Sequence, residues 1–301
     1  MISICIPIYN FEVVDLVKKL SVQSELLDVP SEIILIDDCS DSYFKRINAS
    51  VCAEEGYIQL EKNIGRSAIR NQFLNYAKYD NLLFLDCDSI VTSDEFLSKY
   101  VDTIKQHPNQ VICGGREYQK LPPKRTEVLR WKYGIKKESK TFEERNQNPY
   151  KSFMTNNFVI DKKIFEKIQF DERLVEYGHE DTLFGFELKK RNISIVHIDN
   201  SILNGDLEDN ANYISNTEKA ICNLVHILEF TNYDKDMIED VTLLRIFYKF
   251  YKVRKIIRVI FVILKPTIKY LLSNGYVNLY LFDFYKLGTL TKEINATQQS
   301  V

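Results

Sequence analysis

Short apolar runs alternate with stretches of helical period from the N-terminus to about residue 200. "ISICIPIY" is apolar and β-branched and predicts a strand over residues 2–9. Residues 13–23 space their apolar side chains at helical intervals. The alternation continues with strands over 32–37 ("EIILID"), 56–60, 81–85 and 111–114. Between them the pattern predicts helices over 42–55, 67–77 and 93–106, the last opening on Ser93 as a cap. Strands alternating with helices imply a parallel sheet covered on both faces. The pattern breaks up over 116–151, which reads as a lid, a binding segment or disorder. It resumes with a strand over 157–160, helices over 162–168 and 182–191, and a strand over 193–197. Beyond residue 210 it is helical.

In such sheets ligands bind beyond the carboxyl ends of the strands. Four consecutive strand ends carry polar groups: Pro7-Ile8-Tyr9-Asn10, then Asp37-Asp38-Cys39-Ser40, then "NIGRSAIRN", then "FLDCDS". The last places Asp86 and Asp88 directly after a buried apolar run. Strand alternation would set residues i and i+2 on one side, where paired carboxylates suit a divalent cation; a plain turn would use Asp there as well. No GxGxxG follows the first strand and no GxxxxGK[ST] occurs, which disfavours dinucleotide and P-loop folds.

Composition narrows the partners. The chain has 301 residues, 45% hydrophobic and 27% charged, enough for one large core or two modest ones. A formal net charge of -2 supplies no basic field for nucleic acid. The six cysteines show no CxxC pair and no zinc-ligand spacing, which fits a reducing cytoplasm. "MISICIPIYNFEVVD" lacks a basic n-region and does not read as a signal peptide.

Together, "SICIPIYN", "LIDDCSD", "NIGRSAIRN", "FLDCDS" and "HEDTLFGFEL" resemble, in order, the motifs of the family 2 inverting glycosyltransferases with the GT-A fold. The resemblance implies a mostly parallel central sheet flanked by helices, with a helical C-terminal extension. It implies a catalytic domain over 1–205 (donor half 1–115, acceptor half 116–205) and a helical region over 206–301. The implied reaction moves a sugar from a nucleoside-diphosphate sugar, of the UDP type, to a hydroxyl of a glycan or lipid-linked acceptor, in cell-surface polysaccharide assembly.

Residue by residue, Pro7, Ile8 and Tyr9 match the segment lining the nucleobase, with Tyr9 placed to stack. Asp38 matches the carboxylate that reads the base, and Asn63 and Arg70 match residues near base and diphosphate. Asp86, Cys87 and Asp88 match the DxD motif: Asp88 would ligate Mn²⁺ or Mg²⁺, and Asp86 would face the ribose or a metal-bound water. Asn204 stands where relatives place a metal-binding His. In the Glu-Asp pair, Asp181 matches the general base and Glu180 the residue that contacts acceptor hydroxyls. Gly115, Asn157 and Trp131 are acceptor-side candidates, each with a plainer reading as a turn or packing residue.

Residues 241–282 contain no acidic residue, while Arg245, Lys249, Lys252, Lys255 and Arg258 recur at three- and four-residue intervals among aliphatic and aromatic side chains. A basic amphipathic helix reads as lying on an anionic membrane surface, on the cytoplasmic side, or as packing on the catalytic domain with a solvated basic face. The rival readings of the whole chain are a nucleotidyltransferase of related fold and a non-catalytic sugar-nucleotide-binding protein at a membrane surface.

Overall fold

The computed structural model describes residues 1–51, 56–174 and 177–297. It opens with β1 (Ile2–Ile8), α1 (Val14–Glu25), β2 (Ser31–Asp37), α2 (Ser42–Val51), β3 (Gly56–Gln59), α3 (Arg66–Tyr76) and β4 (Asn81–Leu85). The expected extension of α2 to residue 55 lies outside the described residues. There follow β5 (Ser89–Ile90), α4 (Phe96–Gln106), β6 (Val111–Cys113) and β7 (Arg116–Glu117). The segment without clear period contains α5 (Val128–Tyr133), a π-helical turn and α6 (Phe142–Gln147). Then come β8 (Asn157–Asp161), α7 (Lys162–Lys167), α8 (Glu180–Lys190), β9 (Ile195–His197) and β10 (Ile202–Asn204). The rest is helical: α9 (Asn210–Phe230), α10 (Lys235–Asp240), α11 (Thr242–Lys249), α12 (Arg254–Ser273) and α13 (Leu279–Thr297).

The chain forms two compact units, one of residues 1–119, 139–175 and 180–206, the other of residues 120–138, 176–179 and 207–301. Segments 120–138 and 176–179 therefore group with the C-terminal helices, although they precede them in sequence.

In the first unit a seven-stranded sheet runs β3-β2-β1-β4-β8-β6-β9. Its left half is parallel, with β8 antiparallel to both neighbours. Strand period sorts the side chains. Ile4, Ile6, Leu35 and Leu83 meet α1 and α4 on one face, while Cys5, Ile36, Leu82 and Phe84 meet α3, α7 and α8 on the other. On that second face Phe84 stacks on Phe158 with centroids 5.0 Å apart, and Phe170 stacks on Phe184 at 4.3 Å. This ring cluster fixes the carboxyl end of β4 against the start of α8. A smaller sheet, β5-β10-β7, lies beside that end.

Helix α4 begins two residues later than Ser93 would set it. Its N-cap is Glu95, without a side-chain cap bond, and the Ser93 hydroxyl accepts only from the Glu95 N–H. In the second unit, α9, α12 and α13 close on a core of Tyr213, Ile214, Phe261, Ile268, Phe282 and Tyr285.

Candidate active site

β1, β2, β3 and β4 are parallel neighbours, so their carboxyl ends share one edge of the sheet. Ile8 pairs with Asp37 and Asp37 with Gln59, which brings the first three polar strand ends level. At β1 the ring of Tyr9 is 54% exposed, whereas Ile8 is buried in the core and presents only backbone. Pro7 is half-buried.

After β2, Asp37 is fully buried and structural: it accepts from the Ser40 N–H at 2.7 Å and from the Tyr57 hydroxyl at 3.0 Å. Asp38 accepts the backbone N–H groups of Ile64 and Gly65, one on each oxygen, at 2.7 and 3.0 Å. Asn63 donates to the Asp38 carbonyl at 3.1 Å. This lattice ties the loop after β3 to the end of β2. Burial raises the Asp38 carboxyl above its usual range, against the two backbone bonds.

The strand period does not reach the aspartates. β4 ends at Leu85, and Asp86 to Ser89 form a turn closed by the Ser89 N–H on the Asp86 carbonyl, 3.1 Å. Asp86 and Asp88 meet because of that turn. Cys87 between them packs against the core, and its thiol is pushed up to about 12 by burial and then by Asp88 and Asp86, so it is neutral.

Arg70 corrects an expectation. It is 3% exposed and donates to Asp86 Oδ1 at 2.8 Å and to the Arg66 carbonyl at 3.0 Å, with its guanidinium over the Phe170 ring. It is committed to Asp86, not to a diphosphate. Arg116, at the start of β7, approaches Asp86 Oδ2 at 3.4 Å. Burial works against the Asp86 charge, but Arg70, Arg116 and Arg66 outweigh it and hold the carboxyl below its usual range. No salt bridge reaches Asp88 among the described residues. Burial, and then the neighbouring Asp86 charge, lift it to about 6.

β10 runs alongside this turn. Asn204 pairs with Ser89, and the Gly205 N–H donates to the Asp88 carbonyl at 2.9 Å. The Asn204 amide nitrogen donates to the Asp206 carbonyl, which leaves its oxygen as the atom able to ligate.

Glu180 and Asp181 begin α8, so Asp181 lies inside the first turn and is not the cap of a helix starting at Thr182. Carboxylates there are favoured by the helix dipole. Asp181 Oδ1 accepts the Thr182 N–H at 2.6 Å. Glu180, buried, lies 3.5 Å from Arg66 Nη1. Arg66, half-exposed at the start of α3, thus stands between Glu180 and the Asp86–Asp88 turn, whose charges it also stabilises. Neither Arg66 nor Arg116 was assigned a role from sequence, because partner choice for an arginine is a tertiary property.

The acceptor-side candidates separate. Asn157 is 1% exposed and fully used: it donates to the carbonyls of Gly115 and Asn200 and accepts from the Tyr100 hydroxyl at 2.6 Å. It is a structural amide, unavailable to an acceptor. Gly115, at φ +93°, makes room for Arg145, whose Nη1 would lie 1.7 Å from an added Cβ. That glycine serves packing rather than sugar approach. Trp131 is half-buried in α5, in the second unit. Asn156, next to Asn157, accepts the Asp86 N–H on its carbonyl at 3.2 Å. Its buried amide has no hydrogen-bond partner on either atom among the described residues.

The donor set fits a hard divalent cation. Two carboxylates share one turn, one of them without an ion pair among the described residues, and Mg²⁺ or Mn²⁺ takes one or two carboxylates plus phosphate oxygens and water. Among the described residues no cluster of three His, Cys, Asp or Glu forms a complete cage. The remaining ligands would come from substrate, water or the Asn204 amide.

The sequence pattern of the family described as glycosyl transferase family 2 matches residues 3–169. A Bacillus subtilis (strain 168) protein described as the uncharacterized glycosyltransferase YfnE is 25% identical, with 64% of this chain and 61% of that protein covered, so the chain spans less than two thirds of that relative. Among solved structures, mannosyltransferase PcManGT from Pyrobaculum calidifontis, in complex with GDP-Man and Mn²⁺, superposes with a TM-score of 0.54 at 13% identity, covering 100% of this chain and 75% of that one. S. aureus TarS 1–349 in complex with UDP-GlcNAc gives 0.51 at 16% identity, covering 98% and 92%. The mixed sheet, its helical layers and the C-terminal helices are those of the GT-A fold. With the family pattern spanning more than half of its length, the chain belongs to glycosyl transferase family 2.

Proposed function

We propose that the protein is a metal-dependent inverting glycosyltransferase that moves a sugar from a UDP-sugar to a hydroxyl of a glycan or lipid-linked acceptor in cell-surface polysaccharide assembly. The observation that carries this reading is the Asp86–Asp88 turn on the edge where four parallel strands end, with Asp86 locked by two arginines and Asp88 left without an ion pair among the described residues. The bound ligands of the two superposed structures, a GDP-sugar with Mn²⁺ and a UDP-sugar, are of the class proposed.

In this reading the exposed Tyr9 ring stacks on the nucleobase. Asp38 reads a base N–H with the lone pair that each oxygen keeps beyond its backbone bond. Asp88 ligates Mn²⁺ or Mg²⁺, with Asp86 and Asn204 beside it. A divalent cation there neutralises charge on the departing nucleoside diphosphate. Arg66 adds a charge-assisted donor to that diphosphate. Asp181 takes the acceptor hydroxyl proton, and attack from the face opposite the leaving group inverts the anomeric carbon. Glu180 orients acceptor hydroxyls. Of Asn156 and Asn157, it is Asn156, whose buried amide has capacity to spare, that contacts sugar or acceptor hydroxyls.

A thermal-shift and hydrolysis screen of UDP-, GDP- and dTDP-sugars, with Mn²⁺ or with EDTA, tests the proposal. Binding raises stability by RT ln(1 + [L]/Kd), so a matching UDP-sugar stands out, and metal removal abolishes the shift. Pyrophosphate release from a nucleoside triphosphate and a sugar phosphate would identify a nucleotidyltransferase instead. Metal-dependent binding without transfer to any acceptor would favour the non-catalytic reading.

A further inference from the structure

We infer that the outward face of α12 is a docking surface for an anionic lipid bilayer, on which the helix lies in the plane of the membrane. α12 is apolar on two opposite sides. One side, carrying Phe261, Ile268 and Leu272, is buried in the core of the second unit. The other carries Ile256, Val259, Ile260, Ile263 and Tyr270, which helical period gathers opposite the core face, and all of them are exposed, Ile256 at 61% and Ile263 at 70%. A soluble helix ordinarily sets polar residues opposite its core face. A run of branched aliphatic side chains there loses water only when something apolar covers it.

Charge decides the occupant. Lys255 and Arg258 flank the apolar stripe on α12, Lys252 precedes it, and Arg245 and Lys249 extend the cations onto α11, where Ile246 and Phe250 are also exposed. No acidic residue lies between 241 and 282. Lys265 and Lys269, by contrast, are held by Glu218. Among the described residues no carboxylate salt-bridges Lys252, Lys255 or Arg258. Apolar side chains bordered on one flank by uncompensated cations match an interface of acyl chains below and anionic headgroups above. A second copy of this chain would set these cations against one another. Among the described residues no helix is long and apolar enough to cross a membrane, so the geometry is that of a helix lying on the surface. Over residues 254–270 the stripe would extend about 24 Å, at about 1.5 Å per residue.

This inference does not rest on the catalytic reading. Its test uses the full chain, sedimented with vesicles of phosphatidylcholine alone or mixed with phosphatidylglycerol, at low and high salt. The expected result is at least tenfold more protein bound to the anionic vesicles at low salt, falling as salt screens the headgroups. The double variant Ile256→Ser/Ile263→Ser and the triple variant Lys252→Glu/Lys255→Glu/Arg258→Glu each lose that binding while keeping the wild-type circular dichroism spectrum and cooperative thermal unfolding. Equal binding to both vesicle types, no binding at low salt, or binding unchanged in both variants overturns the inference. So does a dimer in light scattering that Ile256→Ser/Ile263→Ser converts to monomer.

Discussion

Arg70 Nη2 donates to Asp86 Oδ1 at 2.8 Å, from a guanidinium that is 3% exposed. Asp86 lies in the turn just past the end of β4, and the arginine one turn into α3 meets it directly. The pair fixes the turn that presents Asp88. Removing one partner of a buried pair leaves an uncompensated charge. Arg70→Met should therefore lower stability by about 3 kcal/mol in denaturant unfolding, the low end of the usual cost, because Arg116 still reaches Asp86. Arg70→Lys should recover only part of the loss, since one ammonium nitrogen replaces the two guanidinium nitrogens that separately reach Asp86 and the Arg66 carbonyl.

Asn157 sits at the first position of β8, with its amide shared among Gly115, Asn200 and Tyr100. Asn157→Ala should cost about 3 kcal/mol, since it strands two carbonyls and a hydroxyl in a buried site. The Michaelis constant for acceptor should hold steady in whatever enzyme remains folded. Raised acceptor KM with unchanged stability would restore a direct role for this residue.

The strands were legible because β-branched residues alternate through them, and the even and odd positions of β1 and β2 went to the two faces as the period requires. The structure of 116–151 was not legible. β7 has two residues and α5 and α6 six each, too short for a periodic signal. Of the site, the four strand ends could be read because topology alone gathers them. The arginine partners could not, because Arg66, Arg70 and Arg116 come from two elements whose approach only the packed fold decides. Which of the two adjacent asparagines is spent on the fold was hidden for the same reason: strand period aims Asn157 into the core beside Tyr100, a fact absent from the dipeptide itself.

Asp88 carries a charge that burial and Asp86 oppose more than Arg116 and Arg66 favour it, and among the described residues no salt bridge reaches it. Asp88→Asn should leave the fold at least as stable as wild type in the absence of metal. It should also abolish the gain in nucleotide affinity that Mn²⁺ confers. Calorimetric titration of UDP with and without Mn²⁺ checks this; an unchanged metal-dependent gain would remove Asp88 from the coordination sphere.

His197 is 2% exposed on β9 and faces the Pro149 carbonyl at 3.0 Å, which fixes a neutral ring donating from Nε2. Burial, aided by Arg145 and opposed by the Pro149 bond, lowers its pKa to about 4. The unfolded ring takes up a proton near pH 6.5, so between about 6.5 and 4 the unfolded state binds more protons. This contribution to stability is complete above pH 6.5 and declines as pH falls, by about 3 kcal/mol in all. His197→Gln should flatten the stability profile in that window by up to about 1.4 kcal/mol per pH unit relative to wild type. Parallel profiles for the two proteins would mean that His197 titrates normally.

Glu180 and Asp181 are adjacent in the first turn of α8 but differ in surroundings. Glu180 is buried, with Oε1 3.5 Å from Arg66 Nη1. Asp181 is half-buried, and its Oδ1 accepts from the Thr182 N–H and hydroxyl. In the proposed reading Asp181 is the general base, which must release and regain a proton in each cycle. Asp181→Asn should therefore keep donor affinity while lowering turnover by about two to four orders of magnitude, the range for a lost general base. Glu180→Gln should raise acceptor KM and weaken the hold on Arg66, with a smaller loss in turnover. Steady-state kinetics at saturating donor separate the two. If Glu180→Gln removes turnover while Asp181→Asn stays near wild type, Glu180 is the base and Asp181 only shapes the helix start.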